Sequence, residues 1–422
     1  MSSIFWFPAL IPTADAKQKL TPVGAIQSAN DSGAIPAWSP DLMGSWNPAE
    51  HKTLFRIGQY NWKKYEQYLC AGQIALIETY PRSFFIPVYP SVRDARLPEW
   101  YLDNTAAQKG KARIAKDGVG LVGGRLGVPF PEPETGIQVI WNHLTRFRGK
   151  SSIREGLEAL VQDDGTYSLI HFKQEVLYHY DVNADDDRLL SYLSQILAPA
   201  RLAGGALLLV DSTVPGEKPR LTWGYNSSDR RVRRLPNIDH DSTIPLSGGI
   251  RTADDTDMFS GSPERFEWSL LGRREMFIPY HNSRLSSANP DLDNLLIPNH
   301  INPEWTRFEL HRVWHVRAKL KAGQRHIYKQ RDFYLDEDSW SIVWADQYLH
   351  NGELDRISIG FLDSFEEQEP LHFPTVEVFH ELSKRRYNAV GIPVSVTPVM
   401  TLAEPFPEQH FTPQALRRIG KR

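Results

Sequence analysis

Two-residue alternation constrains this chain more than any other feature. From Phe308 to Lys321 the even positions are Phe308, Leu310, Arg312, Trp314, Val316, Ala318 and Leu320. The odd positions are Glu309, His311, Val313, His315, Arg317, Lys319 and Lys321. Period two places successive side chains on opposite faces of a strand, whereas a helix would repeat every three or four residues. One face is apolar apart from Arg312, and the other is charged apart from Val313. The pattern recurs in Phe266, Trp268 and Leu270, then in Met276 and Ile278. It recurs again in Ile170, Phe172, Val176 and Tyr178, in Ile342 and Trp344, and in Ile357, Ile359 and Phe361. Lys321-Ala322-Gly323-Gln324, Asp336-Glu337-Asp338 and His350-Asn351-Gly352-Glu353 separate these runs and read as hairpin turns. Phe308 to Phe361 therefore predicts a four-stranded antiparallel meander with one hidden and one solvated face. Strands this long suit a strongly curved sheet or an incomplete barrel better than a flat sandwich.

The remainder is punctuated by proline, with 30 in 422 residues. X-Pro pairs from Thr21-Pro22 to Leu97-Pro98 bias the chain toward extended structure. Helical spacing is confined to Asn61 to Leu69, Ala71 to Thr79 (with Gly72 at the break) and Asn104 to Ala115. These features divide the chain into a Pro-rich N-terminal extension with short helices over 17–134, a β-rich body over 135–390 and an irregular tail over 391–422. Residues 1–16 read as the remnant of a secretion signal. Ile4-Phe5-Trp6-Phe7-Pro8-Ala9-Leu10-Ile11 is apolar, and Ala14-Asp15-Ala16 has the small-x-small form read by signal peptidase. A run of 18 or so apolar residues, the length of a membrane helix, is absent from the sequence.

Charge and motif readings exclude several functions. The net charge of −3 carries no electrostatic signature for nucleic acid. The single cysteine, Cys70, cannot form an internal disulfide and reads as a small buried residue on a helix. Gly118 to Gly124 lacks the Lys-Ser/Thr ending of a phosphate loop. His311 and His315, four apart on a strand, are separated by about 13 Å, too far to share a zinc ion, and read as solvent-facing. No metal or cofactor is expected. Asp185-Asp186-Asp187 lacks the spacing of a calcium loop, and Asp254-Asp255-Thr256-Asp257 reads as a local structural turn. Arg230-Arg231-Val232-Arg233-Arg234 is the sharpest charge feature. On a strand Arg231 and Arg233 share a face, suited to contact with an anionic group or an acidic partner, while Arg230 and Arg234 face the other way. A nucleophile elbow, a kinase set and a zincin motif are all missing, so the chain reads as a non-enzyme.

Several segments together resemble a proteobacterial family of exported proteins described as outer-membrane lipoprotein-sorting proteins. They are Leu20 to Ile26, Gly33 to Trp38, Ile140-Trp141-Asn142-His143, Ala198 to Gly204, the arginine cluster, Asp257 to Gly261, Pro279-Tyr280, Tyr328 and Tyr334 to Trp340. The likeness runs from Lys17 to about Gly391. The family is more distantly similar to the LolA/LolB superfamily. That resemblance implies a mainly β fold with helices (α+β), in which a curved antiparallel sheet forms an unclosed LolA-like β-barrel with helices on its concave side. It also implies a periplasmic setting, with outer-membrane association as the finer option, and a hydrophobic ligand such as a lipid or lipoprotein acyl chain. The implied partner is a resistance-nodulation-division type exporter or an outer-membrane protein. The chain departs from the LolA core in being about twice as long. The expected ligand-binding face comprises Trp223, Tyr225, Phe266, Trp268, Phe308, Leu310, Trp314 and Trp344, with Arg231 and Arg233 as anion or partner contacts. Two other readings stay open: a docking or structural subunit of an envelope transport system, and a hydrolytic enzyme using the same cavity.

Overall fold

The structure is a computed structural model that describes residues 19–40, 52–180, 187–235, 238, 240–286, 290–365, 370–394 and 400–419. The expected signal remnant at 1–16 lies outside the described residues, as do Asp185 and Asp186. Among the described residues, sixteen strands join in one sheet. In chain order they are β1 (Phe55–Ile57), β2 (Ile86–Val88), β3 (Ser151–Val161), β4 (Tyr167–Tyr178), β5 (Arg188–Ala198), β6 (Ala206–Ser212), β7 (Leu221–Asn226) and β8 (Arg231–Arg234). There follow β9 (Phe266–Pro279), β10 (Phe308–Leu320), β11 (Gln330–Asp336), β12 (Ile342–Tyr348), β13 (Leu354–Phe365), β14 (Leu371–Glu381), β15 (Arg386–Ile392) and β16 (Met400–Ala403). The order across the sheet is β1-β2-β10-β11-β12-β13-β14-β15-β3-β4-β5-β6-β7-β8, with β9 also on β10 and β16 also on β3. Pairing is antiparallel except at Phe308↔Val88. The sheet is curved and does not close into a barrel, since β1 and β8 end its path without meeting.

The meander expected over Phe308 to Phe361 is present as β10 to β13, with its first and last turns at Gly323 and Asn351-Gly352 and its middle turn after Asp336. Gly352 takes a φ of +86°, a conformation open to glycine at little cost. The charged face is not solvated, however. Glu309, His311 and His315 on that face are all buried, as is Arg312 on the apolar one. On β11 the two faces enter different cores. Tyr334 joins a cluster containing Leu76, Ile77 and Val313, while Phe333 and Leu335 join one containing Trp141, Phe259 and Trp314. This part of the sheet is therefore covered on both sides.

Helix α1 (Ala71–Thr79) supplies Leu76 and Ile77 to the first core. Helix α2 (Glu99–Gln108) begins five residues before the expected Asn104, with Pro98 preceding its first turn, and ends before Ala115, where Gly110 takes a φ of +76°. Helix α3 (Gly136–Thr145) supplies Val139, Ile140 and Trp141 to the second core. Helix α4 (Pro413–Ile419) packs Leu416 against Leu177, Leu193 and Leu208. Residues 62–68 form a 3-10 turn inside the stretch read as helical. Cys70 is buried as the cap of α1. The expected extension contributes β1 and β2 to the sheet, and the expected irregular tail contributes β16 and α4.

Candidate functional site

The alternation in β4 builds the wall of a cavity of about 420 Å³. Ile170, Phe172, Val176 and Tyr178 all line it, joined by Tyr192 from β5 and Leu209 from β6. Strand alternation sends the neighbouring Leu208 to the opposite face, where it packs beneath α4. The segment 242–260 roofs the cavity with Ile244, Leu246 and Thr256, while Phe373 of β14 and Met400 of β16 close one end. The volume falls within the range of about 300–1,000 Å³ common to small-molecule sites.

The charged side chains at this cavity are ion-paired. Arg154 Nη1 donates to Glu377 Oε2 at 3.0 Å, and Arg251 Nη2 to Glu158 Oε1 at 2.6 Å. Arg220 holds Asp211 through Nε and Nη2, each at 2.7 Å. Asp257 bridges Arg146 and Arg148 and so ties the roof to the segment after α3. Burial pushes the Asp257 carboxyl up, but the two guanidiniums outweigh it and hold the group well below the usual carboxylate range. Burial raises the phenols of Tyr178 and Tyr192, which therefore stay neutral. The arrangement presents apolar carbon with internally neutralised charge, which suits a ligand with an apolar body.

Of the eight expected ligand-binding residues, Tyr225 alone borders this cavity. Trp223, half-buried, packs on the small cluster beneath α4. Phe308, Leu310 and Trp344 are buried in the first core. Phe266 and Trp314 are buried in the second, and Trp268 is half-buried against it. Trp314 stacks on Trp340 at 5.9 Å, with the Arg273 guanidinium 4.1 Å from its ring centroid. These residues therefore sit in solid core, because α3 and the N-terminal segments cover the strands that carry them. The missed residues had a visible signal, the even positions of β4. Alternation reveals a hidden face but not whether protein or a cavity hides it. Arg231 and Arg233 are exposed on the edge strand β8 and alternate with Val232, which packs on the small cluster. Arg233 Nη2 pairs with Asp229 Oδ2 at 2.6 Å. Arg230 lies in the preceding turn with φ +55°.

A second polar centre surrounds the Asp336-Glu337-Asp338 turn, which is buried. Arg93 donates from Nε to Asp338 Oδ2 at 2.9 Å and from Nη2 to Asp338 Oδ1 at 2.7 Å. His281 lies between Glu309 Oε1 at 2.7 Å and Asp94 Oδ1 at 2.8 Å. Burial opposes a charge on His281, but the two carboxylates prevail and lift its pKa to about 9. His311, Asp336 and Asp338 each bring one potential metal-ligand atom within 4.8 Å of the others. His315 belongs to a different network, 3.2 Å from Asp332 Oδ2.

The comparisons agree with the sequence resemblance. The chain is 36% identical over 420 residues to PA3922, a Pseudomonas aeruginosa protein, covering 96% of this chain and 92% of that one. It is similar to a crystal structure of a domain described as an outer membrane lipoprotein-sorting protein, from Vibrio parahaemolyticus. The identity is 13% and the TM-score 0.46, covering 67% of this chain and 98% of that chain. It is also similar to the LolA superfamily protein NE2245 from Nitrosomonas europaea, at 12% identity and a TM-score of 0.38, covering 66% of this chain and 98% of that chain. Residues 56–417 match the family model "Protein of unknown function (DUF1329)", and with that span matched the chain belongs to the DUF1329 family.

Proposed function

We propose that this protein is a non-enzymatic carrier or binding protein for a hydrophobic cargo, a lipid or a lipoprotein acyl chain, and that it works in the periplasm. The observation that carries the reading is the apolar cavity between β3–β7 and the 242–260 roof. Its carboxylates are engaged by arginines, which favours binding over proton-transfer chemistry. The exposed arginines of β8, at the sheet edge, suit contact with an acidic partner such as an envelope exporter or outer-membrane protein. No helix among the described residues is long and apolar enough to cross a membrane.

The test is displacement of a fluorescent polyene fatty acid by palmitate, together with mass spectrometry of organic extracts from protein purified out of the native envelope. Wild type should bind one probe per chain. Leu207→Trp, at a half-buried cavity position, should weaken binding about tenfold, equal to about 1.4 kcal/mol, at unchanged melting temperature. Substitution at the exposed Tyr60 should leave binding unaltered. Absence of probe binding by the wild type, with no apolar molecule in the extract, would rule this reading out.

A further inference from the structure

We propose that His311, Asp336 and Asp338 bind a divalent cation of the Mn²⁺ or Zn²⁺ class, clasping β10 to the β11–β12 hairpin. The inference stands apart from the apolar cavity, so either can fail without the other.

Geometry comes first. One donor atom from each residue lies within 4.8 Å of the other two, and all three residues are buried. An ion with bonds of about 2.0–2.4 Å spans donors up to twice that length apart. Asp336 is 0% exposed, and among protein atoms its Oδ1 has no hydrogen-bond partner, while Oδ2 accepts from the Ser339 amide at 2.9 Å. A buried carboxylate oxygen left in that condition is costly unless a cation takes it. The Tyr280 hydroxyl, equally buried, has no partner either, and its ring stacks on His311 at 4.1 Å.

Charge points the same way. Six buried carboxylates, Asp94, Glu309, Asp336, Glu337, Asp338 and Asp363, share this region with four buried arginines, Arg93, Arg273, Arg307 and Arg312. The difference is two negative charges. His281, held between Asp94 and Glu309, offsets one of these, and a bound cation offsets the other. Arg93 occupies both Asp338 oxygens, yet a carboxylate oxygen has a second lone pair and can accept again.

The donor set selects the metal. One imidazole nitrogen and two carboxylate oxygens exclude the soft, thiolate-seeking ions and suit Mn²⁺ or Zn²⁺. Glu309 Oε2, 3.3 Å from His311 Nε2, supports the ring from outside the triad, as carboxylates do for ligating histidines. A site this enclosed is structural, holding the hairpin in register.

The test uses the whole protein. Wild type is loaded with Mn²⁺ or Zn²⁺, desalted and assayed by elemental mass spectrometry, with thermal melting in parallel. One metal per chain and a melting temperature raised by the metal are expected. Asp336→Asn should weaken binding by about tenfold or more. Anomalous scattering from crystals of the Mn²⁺-loaded wild type locates the ion without relying on any variant to fold. A peak among His311, Asp336 and Asp338 supports the proposal. Metal-free wild type after loading, a peak elsewhere, or full stoichiometry retained by Asp336→Asn would overturn it.

Discussion

Asp346 shows what one buried residue dictates around itself. Its Oδ1 accepts from the Trp344 indole at 2.8 Å and the Gly72 amide at 3.1 Å, with Cys70 Sγ at 3.7 Å, while Oδ2 has no partner. A Cβ at position 72 would lie 2.1 Å from that Oδ1, so glycine is required there by close approach rather than by a helix break. Burial, reinforced by the nearby Asp332 charge, pushes the Asp346 carboxyl up to about 7. In the unfolded chain it ionises near 3.9. Between those values the native state holds a proton the unfolded chain has lost, so rising pH destabilises the fold from about pH 4 to about pH 7 and not beyond. Asp346→Asn removes that contribution. The melting-temperature advantage of the variant over wild type should therefore widen across that window and then level off. A constant offset at every pH would contradict the assignment.

At the level of elements, the β10–β13 meander was legible because period two is a local property. Its two-sided burial was not. The charged face of β10 meets N-terminal residues more than 200 positions away in sequence, with the Val92 amide donating to Glu309 and Asp94 linked to Glu309 through His281. Ion pairing makes that cover possible, since a buried charge is tolerated only with a partner. The same logic fixes the cavity roof. Asp257, in a left-handed conformation with φ +55°, bridges Arg146 and Arg148, both nearly fully buried. Asp257→Asn retains the backbone preference but leaves two buried guanidiniums without their counter-charge. It should cost about 3–5 kcal/mol in denaturant unfolding. Hydrogen exchange should also accelerate over 253–258, where the roof is anchored. Unaltered protection there would mean that the apolar contacts of Met258 and Phe259 alone hold the roof.

Across the whole molecule, the expected boundary at residue 135 does not separate independent parts. Residues before it supply β1, β2 and α1 to the sheet and its core, and Arg93 to the buried acids Glu337 and Asp338. A chain beginning at residue 135 should lack a cooperative thermal transition by circular dichroism. Soluble protein with a sharp transition would refute this. The sequence by itself determined the strand-rich class, the positions of the hairpins, the length of the strands, the apolar face of β4 and, through its motifs, the family. Those properties are written in spacing along a few neighbouring residues. Only the tertiary structure decided which apolar faces are filled. Trp314 and Ile170 carry the same alternating signal, yet one is packed against Trp340 and the other lines a cavity. Likewise His311 meets Asp336 and Asp338 only because β10 and the hairpin are adjacent in space. Alternation records that a side chain avoids water. What it meets instead depends on segments remote in sequence, whose approach is set by the packing of the whole sheet.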